Sequence, residues 1–323
     1  MPLIDKPTYC APVMLRNGHL LTVYPTLFRK VENPDFKRTR LETKDGDFID
    51  LDFLRADKNK HFVILMHGLE GSSDSVYIRA MSKALVGEGC SVCVQNFRGC
   101  SGEVNRHLRA YHAGFTDDLK ACISFIEDSY QAKSISLVGF SLGANIALNY
   151  LGRESVEARK KISKAVMFSA PCDLSESGNL LSRLENRIYE KRFLADMISK
   201  TSQKAKRNPE EVDLDLLAGI SSVREFDDKF TAPLNGFEGV EDYWEKNSSK
   251  HHLHDIQVPT LLVNALDDPL LGPKCSPIEV ARQSEYLHLE LPRRGGHNGF
   301  VSFFKEYYWS EIRAIDFLSP SFC

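Results

Sequence analysis

Short apolar runs rich in β-branched residues recur along the chain, separated by longer stretches in which apolar residues return every three or four positions. The first signal is a pair of alternating segments, Arg38 to Thr43 and Phe48 to Leu54, joined by Lys44-Asp45-Gly46. That pattern predicts an antiparallel hairpin at a sheet edge. His61 to Met66 then predicts a buried strand, Ser75 to Glu88 a helix, Ser91 to Asn96 a strand and Thr116 to Asp128 a helix. Ile135 to Val138 and Lys164 to Phe168 predict two more strands, with a helix from Ala144 to Leu151 between them. Strands that alternate with helices imply a mostly parallel sheet covered by helices on both faces.

The alternation stops after Pro171. Leu181, Leu184, Ile188, Leu194, Met197 and Ile198 follow helical spacing, Asn208-Pro209-Glu-Glu predicts a helix start, and Glu241 to Lys246 predicts another helix. Residues 174–249 are therefore expected to form a helical cap over the carboxyl ends of the strands, where open α/β sheets place ligands. The rhythm returns with strands at Thr260 to Asn264 and Tyr286 to Leu291 and helices at Pro277 to Gln283 and Val301 to Leu318. Residues 1–37, with prolines at 2, 7, 12, 25 and 34, are expected to be an irregular segment packed on the core. The core itself is assigned to residues 38–173 and 250–323.

The chemistry is concentrated in three places. Gly139-Phe-Ser141-Leu-Gly143 lies between a strand and a helix, the setting of a nucleophile elbow. Both glycines serve a turn so tight that a Cβ at either position meets the neighbouring strand or helix. A serine hydroxyl needs a base to take its proton, and the base needs a carboxylate to orient it. Asn264-Ala-Leu-Asp267-Asp268-Pro follows a late strand, and Gly295-Gly-His297-Asn-Gly299 follows the last one, so the chain order is Ser, acid, His. Asp268 takes the acid's place by spacing, with Asp267 as the alternative. Two backbone N–H groups, of Leu142 at the helix start and Leu69 in the turn after the His61–Met66 strand, are the expected oxyanion donors. His67 is expected to hold that turn by hydrogen bonds.

Composition narrows the class. A net charge of −3 carries no large basic field, which argues against nucleic acid as a partner. The eight cysteines are scattered without a framework, several inside apolar patterns, as in reduced proteins of the cytoplasm. No signal sequence and no apolar run of about 18 residues is present, so neither secretion nor a membrane span is expected. Cys90-Ser-Val-Cys93 enters a strand rather than opening a helix, and His251-His-Leu-His254 has no completing carboxylate or cysteine pattern, so no metal is expected. Nucleotide-binding loops are absent. The basic run Lys191, Arg192, Lys200, Lys204, Lys206 and Arg207 is expected to be a solvated helix face, with weak contact between the cap and a membrane surface as the alternative.

Several longer stretches carry a resemblance. Arg16-Asn-Gly-His-Leu-Leu-Thr22, His67-Gly-Leu-Glu-Gly-Ser72, Asn96-Phe-Arg-Gly-Cys-Ser-Gly-Glu103, Tyr111-His-Ala-Gly114, the elbow, Asn264 to Pro269 and Gly295-Gly-His297 occur in order over nearly the whole chain. In these the chain resembles the YheT-like, AB-hydrolase-domain-containing branch of the α/β-hydrolase superfamily. The resemblance implies an eight-stranded α/β-hydrolase fold and a serine esterase or lipase without a cofactor, with Ser141, Asp268 and His297 as its triad. It implies carboxylic esters as substrates, of short to medium acyl chain, with acylglycerols or phospholipids in some members. An acyltransferase using the same acyl-enzyme, or a non-catalytic binding protein on a hydrolase fold, are the alternatives.

Overall fold

Alternation along the strands sorts their side chains onto the two faces of one sheet. The computed structural model describes residues 3–56, 60–207 and 209–319. Its strands are β1 (Leu3–Ile4), β2 (Lys37–Glu42), β3 (Phe48–Leu54), β4 (His61–Met66), β5 (Ser91–Asn96), β6 (Ser134–Phe140), β7 (Ile162–Phe168), β8 (Thr260–Val263) and β9 (Leu287–Glu290). Among the described residues they form one sheet in the order β1-β9-β8-β7-β6-β4-β5-β3-β2. β3 runs antiparallel to β2 and β5, and every other pair is parallel.

On one face, Val63, Leu65, Val92, Val94, Val138, Phe140, Val166 and Phe168 pack against Ile78, Met81 and Leu85 of the Val76–Gly87 helix and Ala314 and Leu318 of the Trp309–Leu318 helix. Their odd-even partners Phe62, Ile64, Met66, Cys93, Leu137, Ala165 and Met167 turn to the other face. There they meet the Asp117–Tyr130 and Leu142–Arg153 helices through Leu119, Ile123, Ile126, Ile146 and Tyr150. The period of two is what gives a single sheet two separate apolar layers.

Residues 174–249 carry helices and, among those described, no strand. The longest, Arg187–Ala205, shares an apolar cluster with Leu181, Val212, Leu217, Val223, Phe226 and Phe230. The expected helix start at Pro209 is absent: Asn208 lies outside the described residues, 209–211 form a turn, and a helix begins only at Leu214, capped by Asp213.

Two further expectations are corrected. Among the described residues the sheet has nine strands rather than eight, because Leu3–Ile4 adds in parallel to β9. A two-residue edge strand has no period to read. Residues 1–37 are also not irregular throughout, since Gly18–Phe28 is a helix. Its start is capped by Asn17, whose side-chain oxygen accepts from the N–H groups of His19 (2.9 Å) and Leu20 (3.3 Å). Pro25 sits inside this helix, and a proline in that place argued against a helix on sequence grounds. The closing helix starts at Trp309, not at Val301.

Candidate active site

β6 ends at Phe140, and Ser141 follows in a left-handed backbone conformation (φ 53°) before the Leu142–Arg153 helix begins. That conformation is costly for a residue with a Cβ and persists only where its surroundings enforce it. The enforcement is visible. Ser141 N–H donates to Phe168 O of β7 at 2.9 Å. A Cβ on Gly143 would lie 2.4 Å from His67 O and 2.6 Å from Met66 O, and one on Gly139 would lie 2.7 Å from Ala144 Cα. Helix and strands are thus pressed together around the serine, lifting its Oγ clear of the sheet.

His297 reaches the same point from the loop after β9. Its Nε2 is 2.8 Å from Ser141 Oγ, and its Nδ1 is 2.9 Å and 3.1 Å from the two carboxylate oxygens of Asp268. The Asp268 side chain is fully buried, and its Oδ1 also accepts from Leu270 N–H at 2.9 Å. The three side chains therefore form one hydrogen-bonded chain from carboxylate through imidazole to hydroxyl. Asp267, the alternative acid, points elsewhere: its Oδ1 accepts from the N–H of Gly296 at 2.9 Å. It fastens the histidine loop from below, and burial pushes its carboxyl up from the usual range.

The loop after β4 is held by two phenols. Tyr77 Oη accepts from Gly68 N–H at 2.9 Å and Tyr111 Oη accepts from Glu70 N–H at 3.0 Å. The N–H between them, on Leu69, has no acceptor among the described residues, and neither does that of Leu142. Both residues line the cavity that also contains Ser141 and His297. His67 is buried under the loop, with Nδ1–H donating to Gly68 O at 2.7 Å and Nε2 accepting from Phe97 N–H at 3.0 Å. These bonds fix a neutral imidazole, and burial pushes its pKa down to about 3. It holds the loop as expected.

The cavity has a volume of about 170 Å³ and lies between the sheet and the cap. Leu142, Leu174, Leu181, Phe193, Met197, Phe226, Trp244 and Leu270 make most of its wall apolar. Among the described residues no group of three or more His, Cys, Asp or Glu side chains is placed to hold a metal ion.

A family model described as alpha/beta hydrolase fold matches residues 62–302. The chain belongs to the α/β-hydrolase family. Within it, the hydrolase is 32% identical over 312 residues to YheT of Escherichia coli (strain K12), covering 94% of this chain and 90% of that one. It is 31% identical to the monoacylglycerol lipase of Saccharomyces cerevisiae, covering 76% of this chain and 56% of the relative. To phospholipase ABHD3 of Mus musculus it is 29% identical, covering 82% and 66%. The esterase Pf2001 of Pyrococcus furiosus shares its fold with a TM-score of 0.59 at 19% identity, covering 88% of this chain and 92% of that one. These matches place the hydrolase in the branch that its motifs resemble.

The N-terminal helix takes part in the site in a way that its sequence pattern does not announce. Thr22 Oγ1 accepts from His297 N–H at 2.8 Å and donates to Gly18 O at 2.7 Å. Gly18 packs so closely that a Cβ there would lie 1.8 Å from Asp267 O. Ser169, itself at φ 50°, accepts from the N–H of Asn298, the residue after the histidine, at 2.9 Å. The Arg16–Thr22 stretch was a signal for this, but only as part of a resemblance. Nothing in its own pattern says that it braces a loop 275 residues away.

Proposed function

We propose that this α/β hydrolase cleaves carboxylic esters through an acyl-enzyme on Ser141. His297 takes the Ser141 proton as Oγ attacks the acyl carbonyl, and Asp268 holds the imidazole tautomer and balances its charge. The N–H groups of Leu69 and Leu142 receive the oxyanion of the tetrahedral intermediate. His297 then gives its proton to the leaving alcohol, and water repeats the sequence on the acyl group. The observation that carries this reading is the unbroken chain Asp268–His297–Ser141 beside two unengaged N–H groups.

The small apolar cavity favours a short- to medium-chain acyl group. Relatives named as a monoacylglycerol lipase and a phospholipase make acylglycerols and phospholipids the substrates to try first. No described helix is long and apolar enough to cross a membrane. Leu184 and Ile188, exposed at the start of the cap beside the exposed Arg183, Arg187 and Lys191, suit a weak contact with a lipid surface. Six free, buried cysteines among the described residues suit a reducing compartment such as the cytoplasm.

Turnover of p-nitrophenyl butyrate by Ser141→Ala tests the reading. The expected loss in kcat is about 10⁴-fold or more. Labelling of wild-type Ser141 by a fluorophosphonate is expected to disappear in the same variant. Wild-type rates in Ser141→Ala, or a wild-type protein that the probe does not label, reject the assignment.

A further inference from the structure

One face of the Arg187–Ala205 helix looks into the cavity above Ser141, through Phe193, Met197, Lys200, Thr201 and Lys204. Their spacing of mostly three and four residues makes one stripe of a helix. Along the stripe the lining passes from apolar to cationic over about 16 Å, at 1.5 Å per residue. Lys200 and Lys204 belong to the basic run whose sequence pattern predicts a solvated face. Lys191, Arg192, Lys206 and Arg207 are exposed, but Lys204 is buried and Lys200 is half-buried.

The charged groups of the cavity differ in how they are paired. Arg98 is held by Asp118 and Asp45, and Lys200 by Glu70 Oε2 at 2.5 Å. Asp227 accepts from the indole N–H of Trp244 at 2.9 Å, and Glu70 Oε1 accepts from the Tyr111 hydroxyl at 2.8 Å. Lys204 is 3% exposed. Its ammonium donates to Leu108 O at 3.3 Å and, among the described residues, has no carboxylate within ion-pair distance. An ammonium has three N–H donors. One long bond to a carbonyl leaves the others unused and the charge without a counter-ion inside a largely apolar cavity, an arrangement that costs stability unless something completes it.

We propose that Lys204 is the anion-binding end of the substrate pocket, and that the natural ester carries a carboxylate or phosphate group which this ammonium receives. The inference rests on the esterase reading and adds the substrate's charge to it. The titratable groups whose charge Lys204 feels are Lys200 from its own helix, Glu70 and Cys100 from the loops after β4 and β5, and Asp47 from the β2–β3 turn. Burial pushes its pKa down to about 8 despite those carboxylates. A bound anion restores the charged form, so preference for anionic esters is expected to weaken above about pH 8, as free Lys204 loses its proton.

Two pairs of esters test this and separate the sources of the anion. Mono-p-nitrophenyl glutarate against p-nitrophenyl butyrate puts the charge on the acyl half. Octanoylglycerol 3-phosphate against octanoylglycerol puts it on the alcohol half. In one pair the wild-type enzyme is expected to prefer the anionic member, and Lys204→Met to lower kcat/KM for that member about tenfold more than for its neutral partner. Lys204→Arg is expected to keep part of the preference. A wild-type enzyme that favours the neutral member of both pairs, or a Lys204→Met variant that slows both members alike, overturns the proposal. A measurement on the wild-type protein covers the case in which the variant does not fold. Octyl phosphate or octanoate is expected to inhibit p-nitrophenyl butyrate hydrolysis about tenfold more tightly than octan-1-ol. Equal or weaker inhibition by both anions overturns the proposal as well. Calorimetric binding of octyl phosphate needs no turnover, so it separates failure at Lys204 from failure of the esterase reading, which Ser141→Ala reports.

Discussion

Replacing Thr22 with valine keeps the shape of the side chain and removes its hydroxyl. That hydroxyl accepts from His297 N–H at 2.8 Å and donates to Gly18 O at 2.7 Å, so the change takes away a bond on each side. Leaving a buried donor unmade costs about 1–3 kcal/mol. His297 is only partly buried, which puts the cost in the lower part of that range, about 1–2 kcal/mol. If the strain falls on the imidazole's position, it appears as a loss of about 5- to 30-fold in kcat, at 1.36 kcal/mol per factor of ten. Thr22 does not line the cavity, so KM is expected to change little. The assay is p-nitrophenyl butyrate kinetics beside urea unfolding, with the rate of fluorophosphonate labelling as an independent report on nucleophile activation. Thr22→Ser keeps the hydroxyl and is expected to recover most of the rate. Wild-type kcat and labelling in Thr22→Val refute the bracing role, and so does a Thr22→Ser variant as slow as Thr22→Val.

Asp268→Asn is expected to cost about 10⁴-fold in kcat, the scale of losing the imidazole's orienting carboxylate in a serine triad. Asp267→Asn, which alters a bond to the Gly296 backbone, is expected to cost far less, and equal losses in p-nitrophenyl butyrate turnover exchange the two assignments. Burial lifts Asp227 from the ordinary 3.8 to about 6, so the folded state holds this proton more firmly than the unfolded one. Stability from this group is therefore present at low pH and is lost as pH rises from about 4 to 6. Asp227→Asn is expected to be more stable than wild type at pH 7 by up to about 3 kcal/mol, and no more stable near pH 4, in urea titrations at both pH values. Leu184→Asp with Ile188→Asp is expected to reduce co-sedimentation with anionic vesicles while leaving turnover of p-nitrophenyl butyrate, a water-dissolved ester, in place. Unchanged sedimentation removes the lipid contact from the proposed function.

The buried strands and the elbow are legible in the chain because their causes are local. His61 to Met66 and Ser91 to Asn96 are short segments with apolar, β-branched-rich centres, Phe62 to Met66 and Val92 to Val94, buried on both faces, and the structure starts and ends them where the pattern does. The left-handed Ser141 is demanded by two glycines within two residues of it, so the turn can be read from five letters. Chain order adds the rest of the site, since a carboxylate after one late strand and a histidine after the last are brought to one rim by a parallel sheet. Closed by tertiary contact alone are the choices between neighbours. Spacing favours Asp268 over the chemically identical Asp267, but only the direction of each side chain sends one to the Gly296 backbone and the other to the imidazole. The Gly18–Phe28 helix contains a proline and has just three buried residues, so it persists by packing against the acid and histidine loops rather than by propensity. Lys204 reads as one more solvated lysine until the cap folds down and takes it out of water. Periodicity and steric necessity act over a few residues and leave a trace in the string of letters. Side-chain direction and burial depend on what another part of the chain places opposite, and that is settled only when the chain has folded.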